Sequence, residues 1–154
     1  MSDFKVIDKV GMPHVLSFVV GKLGSFDTSC VEWVKLLPLN RSVLLHGECR
    51  FPAPGQLTGG FRRGYRIRAS VNIEMCPPFS FTHWGRHYSE GEPHEWRSKE
   101  TDYHFFDLEE CAVHTLAHEC FHFLSDSGQV DEKNYEANAN WWADQWLKEY
   151  RSNY

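Results

Sequence analysis

Two histidines four residues apart, His118 and His122, with Glu119 beside the first, constrain this chain more than any other feature. Side chains at that spacing lie one above the other only on an α-helix. The segment must be helical for both imidazoles to address one point, with Glu119 about 100° round the helix from His118. The flanks agree. Asp107 followed by Glu110 resembles a capping box, and Ser125-Asp126-Ser127-Gly128 supplies a stop, which predicts a helix of about four to five turns. On a helix, H-E-x-x-H is the pattern that binds zinc through its two histidines. Two neutral imidazoles and one further ligand leave the fourth position of one Zn2+ ion to water, whose pKa falls to about 7, and Glu119 stands where it can take that proton as general base.

No histidine follows His122, so a downstream histidine is excluded as third ligand. His114 shares the face of His118 and His122, but at about 1.5 Å of rise per residue it lies about 12 Å along the axis from His122. One ion is not easily held by all three, and His114 is expected to support the ligands or pack in the core. A second helix is expected from near Asp131 to about Tyr150, where Tyr135, Ala139, Trp142, Ala143, Trp146, Leu147 and Tyr150 form an apolar stripe. Glu136 lies on it beside the small residues Ala139 and Ala143, and is the candidate third ligand. Asp126, Asp131 and Glu132 rank below it, because loop and helix-start carboxylates ordinarily serve as caps. Asn140, one turn beyond Glu136, points the same way and can hydrogen-bond a ligating histidine or Glu136 itself.

Upstream, residues 1–40 read as scaffold, with Thr28 or Ser29 capping a short helix that carries Val31, Val34 and Leu37 and ends at Pro38. Residues 42–75 read as sheet. Val43, Leu44 and Leu45 open a first strand, and Pro52-Ala53-Pro54-Gly55 and Gly59-Gly60 form a turn-rich stretch after it. Tyr65 to Met75 alternates, apolar at odd positions and mostly polar at even ones, as a strand with one buried face does. Residues 76–106 read as a long aromatic loop, with Pro77-Pro78, Gly85, Gly91 and Pro93 among His83, Trp84, His87, His94, Trp96, Tyr103 and His104. Residues 107–154 hold the two helices.

The 154 residues form one domain by length, and 42% hydrophobic with 15% aromatic content fits a folded globule. A formal net charge of −5 gives no electrostatic reason to bind nucleic acid. The basic cluster Arg62, Arg63, Arg66 and Arg68 reads as a solvated face, or as a contact for an acidic substrate. Cys30, Cys49, Cys76, Cys111 and Cys120 are an odd set without C-x-x-C spacing, so reduced thiols in a cytoplasmic protein are expected, a single cross-link such as Cys49 to Cys76 being the alternative. The apolar stretch Val15 to Val20 is short for a secretory signal, and no stretch approaches the roughly 20 apolar residues of a membrane span.

Through His118-Glu119-x-x-His122 and Glu136-Ala137-Asn138-Ala139-Asn140 the chain resembles gluzincin-type zinc metallopeptidases. Over about residues 107–147 it is similar to the small ones of the ImmA/IrrE, phage-type or minigluzincin-like kind. It departs from them in the short interval between His122 and Glu136, in Asn140 where an aspartate is common, and in Phe121 where some carry glycine. The resemblance implies an α+β, zincin-like fold: a small mixed or antiparallel sheet packed on the zinc helix, then a C-terminal helix with the third ligand. It also implies peptide or protein substrates held extended along an edge strand, either Val43 to Arg50 or Tyr65 to Met75. A Tyr or His outside the motif stabilises the oxyanion in such enzymes. Here the candidates are His104, Tyr103, His87 and Tyr135, with His104 the choice. Two other readings of the same residues are a non-enzymatic module pinned by zinc and a zinc hydrolase of a non-peptide amide or ester. A carboxylate beside the ligands argues against the first, since structural sites close all four positions.

Overall fold

A computed structural model describes residues 3–52, 64–89 and 92–154, of which 83–89 and 92–101 are described as backbone. The turn-rich stretch from Ala53 through Gly60, together with Arg62, Arg63 and Gly91, lies outside the described residues, as do the side chains of His83, Trp84, His87, His94 and Trp96.

The architecture is mixed α+β. Strand β1 (Lys5–Asp8) leads through helix α1 (Pro13–Leu23) to β2 (Val31–Pro38), followed by β3 (Leu45–Arg50) and β4 (Tyr65–Val71). These strands form one sheet in the order β1-β2-β4-β3, with β1, β2 and β4 parallel and β3 antiparallel to β4. The crossover through α1 is what a parallel neighbour requires. A two-stranded antiparallel ribbon follows, β5 (Phe79–Ser89) and β6 (Glu92–Phe105), and then helices α2 (Leu108–Asp126) and α3 (Glu136–Asn153).

Alternation places β4 as expected. Tyr65, Ile67, Ala69 and Val71 are buried, but Ile73 and Met75 lie beyond the strand and are exposed. Because β4 is interior, flanked by β2 and β3, it offers no free edge; of the two candidates for an edge strand, only β3 is one. It starts at Leu45, two residues later than the expected Val43.

Two expectations are corrected. The segment carrying Val31, Val34 and Leu37 is strand β2, not a helix. A register shift between Val31 and Trp33 lets Val31 and Val34 both point inward, so a bulged strand acquires the i, i+3 spacing of a helix. Its paired neighbours β1 and β4, far off in sequence, decide the matter. Residues 76–106 are mainly the β5–β6 ribbon rather than a loop. Phe79, Tyr103 and Phe105 are buried on its inner face.

Asp107 caps α2, its side chain accepting from the Glu110 amide at 2.8 Å, while Glu110 accepts from the Phe106 amide at 2.8 Å. The stop also holds: Ser127 is the C-cap, and Gly128 takes φ +74°, a conformation few other residues adopt cheaply. Helix α3 begins at Glu136, not near Asp131, and Ala139, Ala143, Trp146, Leu147 and Tyr150 of its stripe are buried. Helix α2 lies across β3 and β4 on one side and meets α3 on the other. All five cysteines are free. Arg66 and Arg68 pair with Glu32 and Glu48 as part of a surface face. Among the described residues no helix is long and apolar enough to cross a membrane.

Candidate metal centre

Helices α2 and α3 run antiparallel with matched periods. His114, His118 and His122 recur every four residues on α2; Glu136, Asn140 and Asp144 do the same on α3. Each histidine meets an α3 partner. His122 Nε2 lies 3.2 Å from Glu136 Oε1, His118 Nδ1 lies 3.0 Å from Asn140 Oδ1, and His114 Nε2 lies 3.0 Å from Asp144 Oδ1. Asn134, in the turn before α3, accepts from His122 Nδ1 at 2.6 Å.

Those amide contacts set the tautomers. With Asn140 and Asn134 accepting at Nδ1, both histidines turn the lone pair of Nε2 inward. The two Nε2 atoms are 3.1 Å apart, and Glu136 Oε2 is 3.0 Å from that of His118. Two lone pairs and a carboxylate crowded to this degree repel unless positive charge lies among them. The spacing suits a cation: bonds of about 2.0–2.1 Å in a tetrahedron separate neighbouring donors by about 3.3–3.4 Å. The group His118, His122 and Glu136 can therefore hold a metal ion, and two nitrogens with one carboxylate are a set that zinc accepts.

Electrostatics follow from the same packing. With no cation between them, a proton on Nε2 of His118, and then of His122, hydrogen-bonds Glu136 and holds its carboxyl well below its usual range, although its side chain is 58% exposed. Burial works to lower His122, but the hydrogen bonds that its protonated ring makes to Glu136 and Asn134, with the nearby carboxylates, outweigh it and raise the imidazole. Glu119 is only 9% exposed, and burial raises its carboxyl above the ordinary range against the opposing pull of His118 and His122. Its carboxylate rests on the backbone of the edge strand. A Cβ at Gly47 would fall 2.3 Å from Glu119 Oε1 and 2.9 Å from Cδ.

A cavity of about 250 Å³ opens here, with Leu45, His46 and Gly47 of β3 on one side, Phe81 of β5 on another, and His114, Thr115, His118, Glu119, Glu136 and Asn140 completing it. A larger one, about 530 Å³, lies by Cys30, Glu32, Tyr65 and Ser127 and contains none of the convergent donors. Size does not single out the candidate centre; His118, Glu119 and Glu136 line the smaller cavity.

Of the residues singled out from sequence, the structure brings His118, Glu119, His122, Glu136 and Asn140 together. His104 is not among them. It is exposed on β6 between Tyr103 and Phe105, which turn inward onto His114, and its carbonyl accepts from Arg151 near the far end of α3. Tyr103 is buried among these rings and does not line the cavity, and Tyr135 caps α3 half exposed. Asn134, Asp144, His46 and Gly47 went unread. The four-residue repeat on α3 would have found Asp144 opposite His114, whereas Asn134 precedes the helix and Gly47 needs the fold to acquire meaning. Comparison with protein-family models, with curated proteins and with solved structures gives no match.

Proposed function

We propose that the protein is a zinc-dependent hydrolase, in the first place a zincin-like metallopeptidase resembling the gluzincins, with His118, His122 and Glu136 as ligands and Glu119 as general base. One observation carries the reading: three metal-ligating side chains converge at 3.0–3.2 Å with a buried carboxylate beside them in a cavity bordered by the edge strand β3. When bound, the ion supplies Lewis acidity, making a water acidic near pH 7 and polarising a carbonyl.

The remaining work belongs to the chain. Asn140 and Asn134 keep both Nε2 atoms directed inward. Glu119, with its carboxyl raised by burial, accepts a proton at Oε1 or Oε2 and passes it to the leaving amine. Gly47 lets that carboxylate lie against the strand. Among the described residues strand β3 is paired on one side only, and its other side suits an extended peptide, which favours peptide over a small amide or ester. Phe81 and Leu45 shield the reacting atoms from water. A zinc-pinned module without activity would give no reason for a buried Glu119 beside its ligands.

Elemental analysis of wild type, Glu119→Gln and Glu136→Ala, paired with a quenched-fluorescence peptide library, tests this. Wild type should hold one zinc and cut peptides, Glu119→Gln should hold zinc without cutting, and Glu136→Ala should lose the metal. A metal-free wild type would overturn the reading. Bound zinc without peptide cleavage would turn it towards the non-peptide hydrolase or the module.

A further inference from the structure

The α2 face that carries the ligands continues one turn back to groups that the proposed chemistry leaves unused. His114 is 5% exposed and lines the same cavity as Glu119 and Glu136. Its Nε2 lies 3.0 Å from Asp144 Oδ1. A carboxylate accepts, so Nε2 carries the proton and Nδ1 keeps its lone pair. The rings of Tyr103 and Phe105 lie 4.8 and 5.5 Å from the imidazole and fix its plane. Burial lowers the imidazolium form against the pull of Asp144, which keeps the ring neutral.

Thr115, 4% exposed, lines the cavity beside it. Its Oγ1 donates to the Cys111 carbonyl at 2.8 Å, so the hydroxyl proton is committed and lone pairs remain. Two consecutive buried residues that line the cavity therefore keep acceptor lone pairs, and Phe81 and Leu45 line it with apolar atoms.

We propose that His114, held by Asp144, and Thr115 determine specificity, so that the cavity of about 250 Å³ receives a neutral substrate side chain with an apolar body and a hydrogen-bond donor at its end, tyrosine foremost. This rests on the hydrolase reading above. A buried acceptor left without its donor is costly, so the matching hydroxyl discriminates where an added methylene does not. A hydroxyl satisfies these acceptors without the cost of stripping water from an ammonium group, which is the larger for a charged donor.

The test uses the zinc-loaded full chain and peptide pairs differing only as Tyr/Phe, Thr/Val or Lys/norleucine at each position around the scissile bond. Binding of the same peptides to Glu119→Gln is followed by calorimetry. At one position wild type should favour Tyr over Phe by roughly tenfold in kcat/KM, and the calorimetric Kd should follow. His114→Leu and Thr115→Val should each shrink that ratio to about twofold or less. His114→Gln, whose amide can donate to Asp144 and still accept, should retain part of it. Zinc content and melting temperature check each variant's fold, and the near-isosteric Thr115→Val carries the test if His114→Leu does not fold. Equal use of Tyr and Phe, or a preference for Lys, with cleavage intact overturns this inference and leaves the hydrolase reading standing. Neither cleavage nor binding of any peptide overturns both this inference and the peptidase form of the hydrolase reading.

Discussion

At the scale of single residues, Gly47 is where the edge strand and the proposed general base compete for space. A methyl group there would meet Glu119 at 2.3 Å, and a buried carboxylate on a packed helix has little room to retreat. Gly47→Ala should therefore leave zinc bound, since no ligand is touched, and lower kcat by tenfold or more, because a displacement of about 1 Å at a reacting group can cost about a hundredfold. Steady-state kinetics with zinc analysis decides it; unchanged kcat would mean that Glu119 has no fixed position to lose. Asn134 and Asn140 act on the other side of the site. Each orients one imidazole through Nδ1, so Asn134→Ala and Asn140→Ala should each weaken zinc binding by about tenfold to a hundredfold in competition with a chelator. Equal affinity would show that the histidines need no support.

At the scale of elements, the pairing of α2 with α3 is fixed at its far end by Arg151, which donates to both Glu110 oxygens at 2.7 and 2.8 Å. Burial alone would raise Glu110, but the hydrogen bonds from Arg151 and the Phe106 amide, with the Arg151 charge, hold its carboxyl below the ordinary range. A carboxyl depressed in the folded state stabilises the fold above its unfolded pKa, about 4.3, and loses that contribution as pH falls through its folded value. Glu110→Gln should cost about 1–2 kcal/mol at pH 7 in urea unfolding, a modest figure because Arg151 is 37% exposed. The gap from wild type should stay level down to about pH 5 and close below about pH 4; closure between pH 7 and 5 would contradict the assignment. Sequence made α2 and most of α3 legible because caps, stop and periodic apolar residues agree within each helix. Strand β2 was opaque because a bulge gave Val31 and Val34 a helical interval. The ribbon was hidden because only Phe79, Phe81, Tyr103 and Phe105 show its alternation, beneath a surface of prolines and glycines. Within the site, what repeats along one helix could be read, as with His118, His122, Glu136 and Asn140. What depends on a strand meeting a helix, as Gly47 does, could not.

At the scale of the whole molecule, the question is whether the proposed metal would hold the fold together or only occupy it. The buried apolar cluster extends from Phe4 and Leu16 through Val34, Ile67 and Leu116 to Trp146 and Tyr150. Helices α2 and α3 are also joined away from the ligands, by Tyr150 donating to Glu109 at 2.7 Å and by the Arg151 pair. A core of this extent does not need an ion to form, unlike a zinc finger, whose folding free energy is its metal-binding free energy. The protein should therefore remain folded after chelation, with far-ultraviolet circular dichroism unchanged at 25 °C. Zinc should nevertheless raise its melting temperature, since an ion bound by two helices favours the folded state by about 2.7 kcal/mol at a hundred times its Kd. For a chain of this length that corresponds to a rise of about 5–10 °C. Glu119→Gln should show the full rise and Glu136→Ala almost none, because only the second removes a link between the helices. Loss of secondary structure on chelation would make the ion a structural support and favour the pinned module over the hydrolase. A rise that persists in Glu136→Ala would move the third ligand elsewhere.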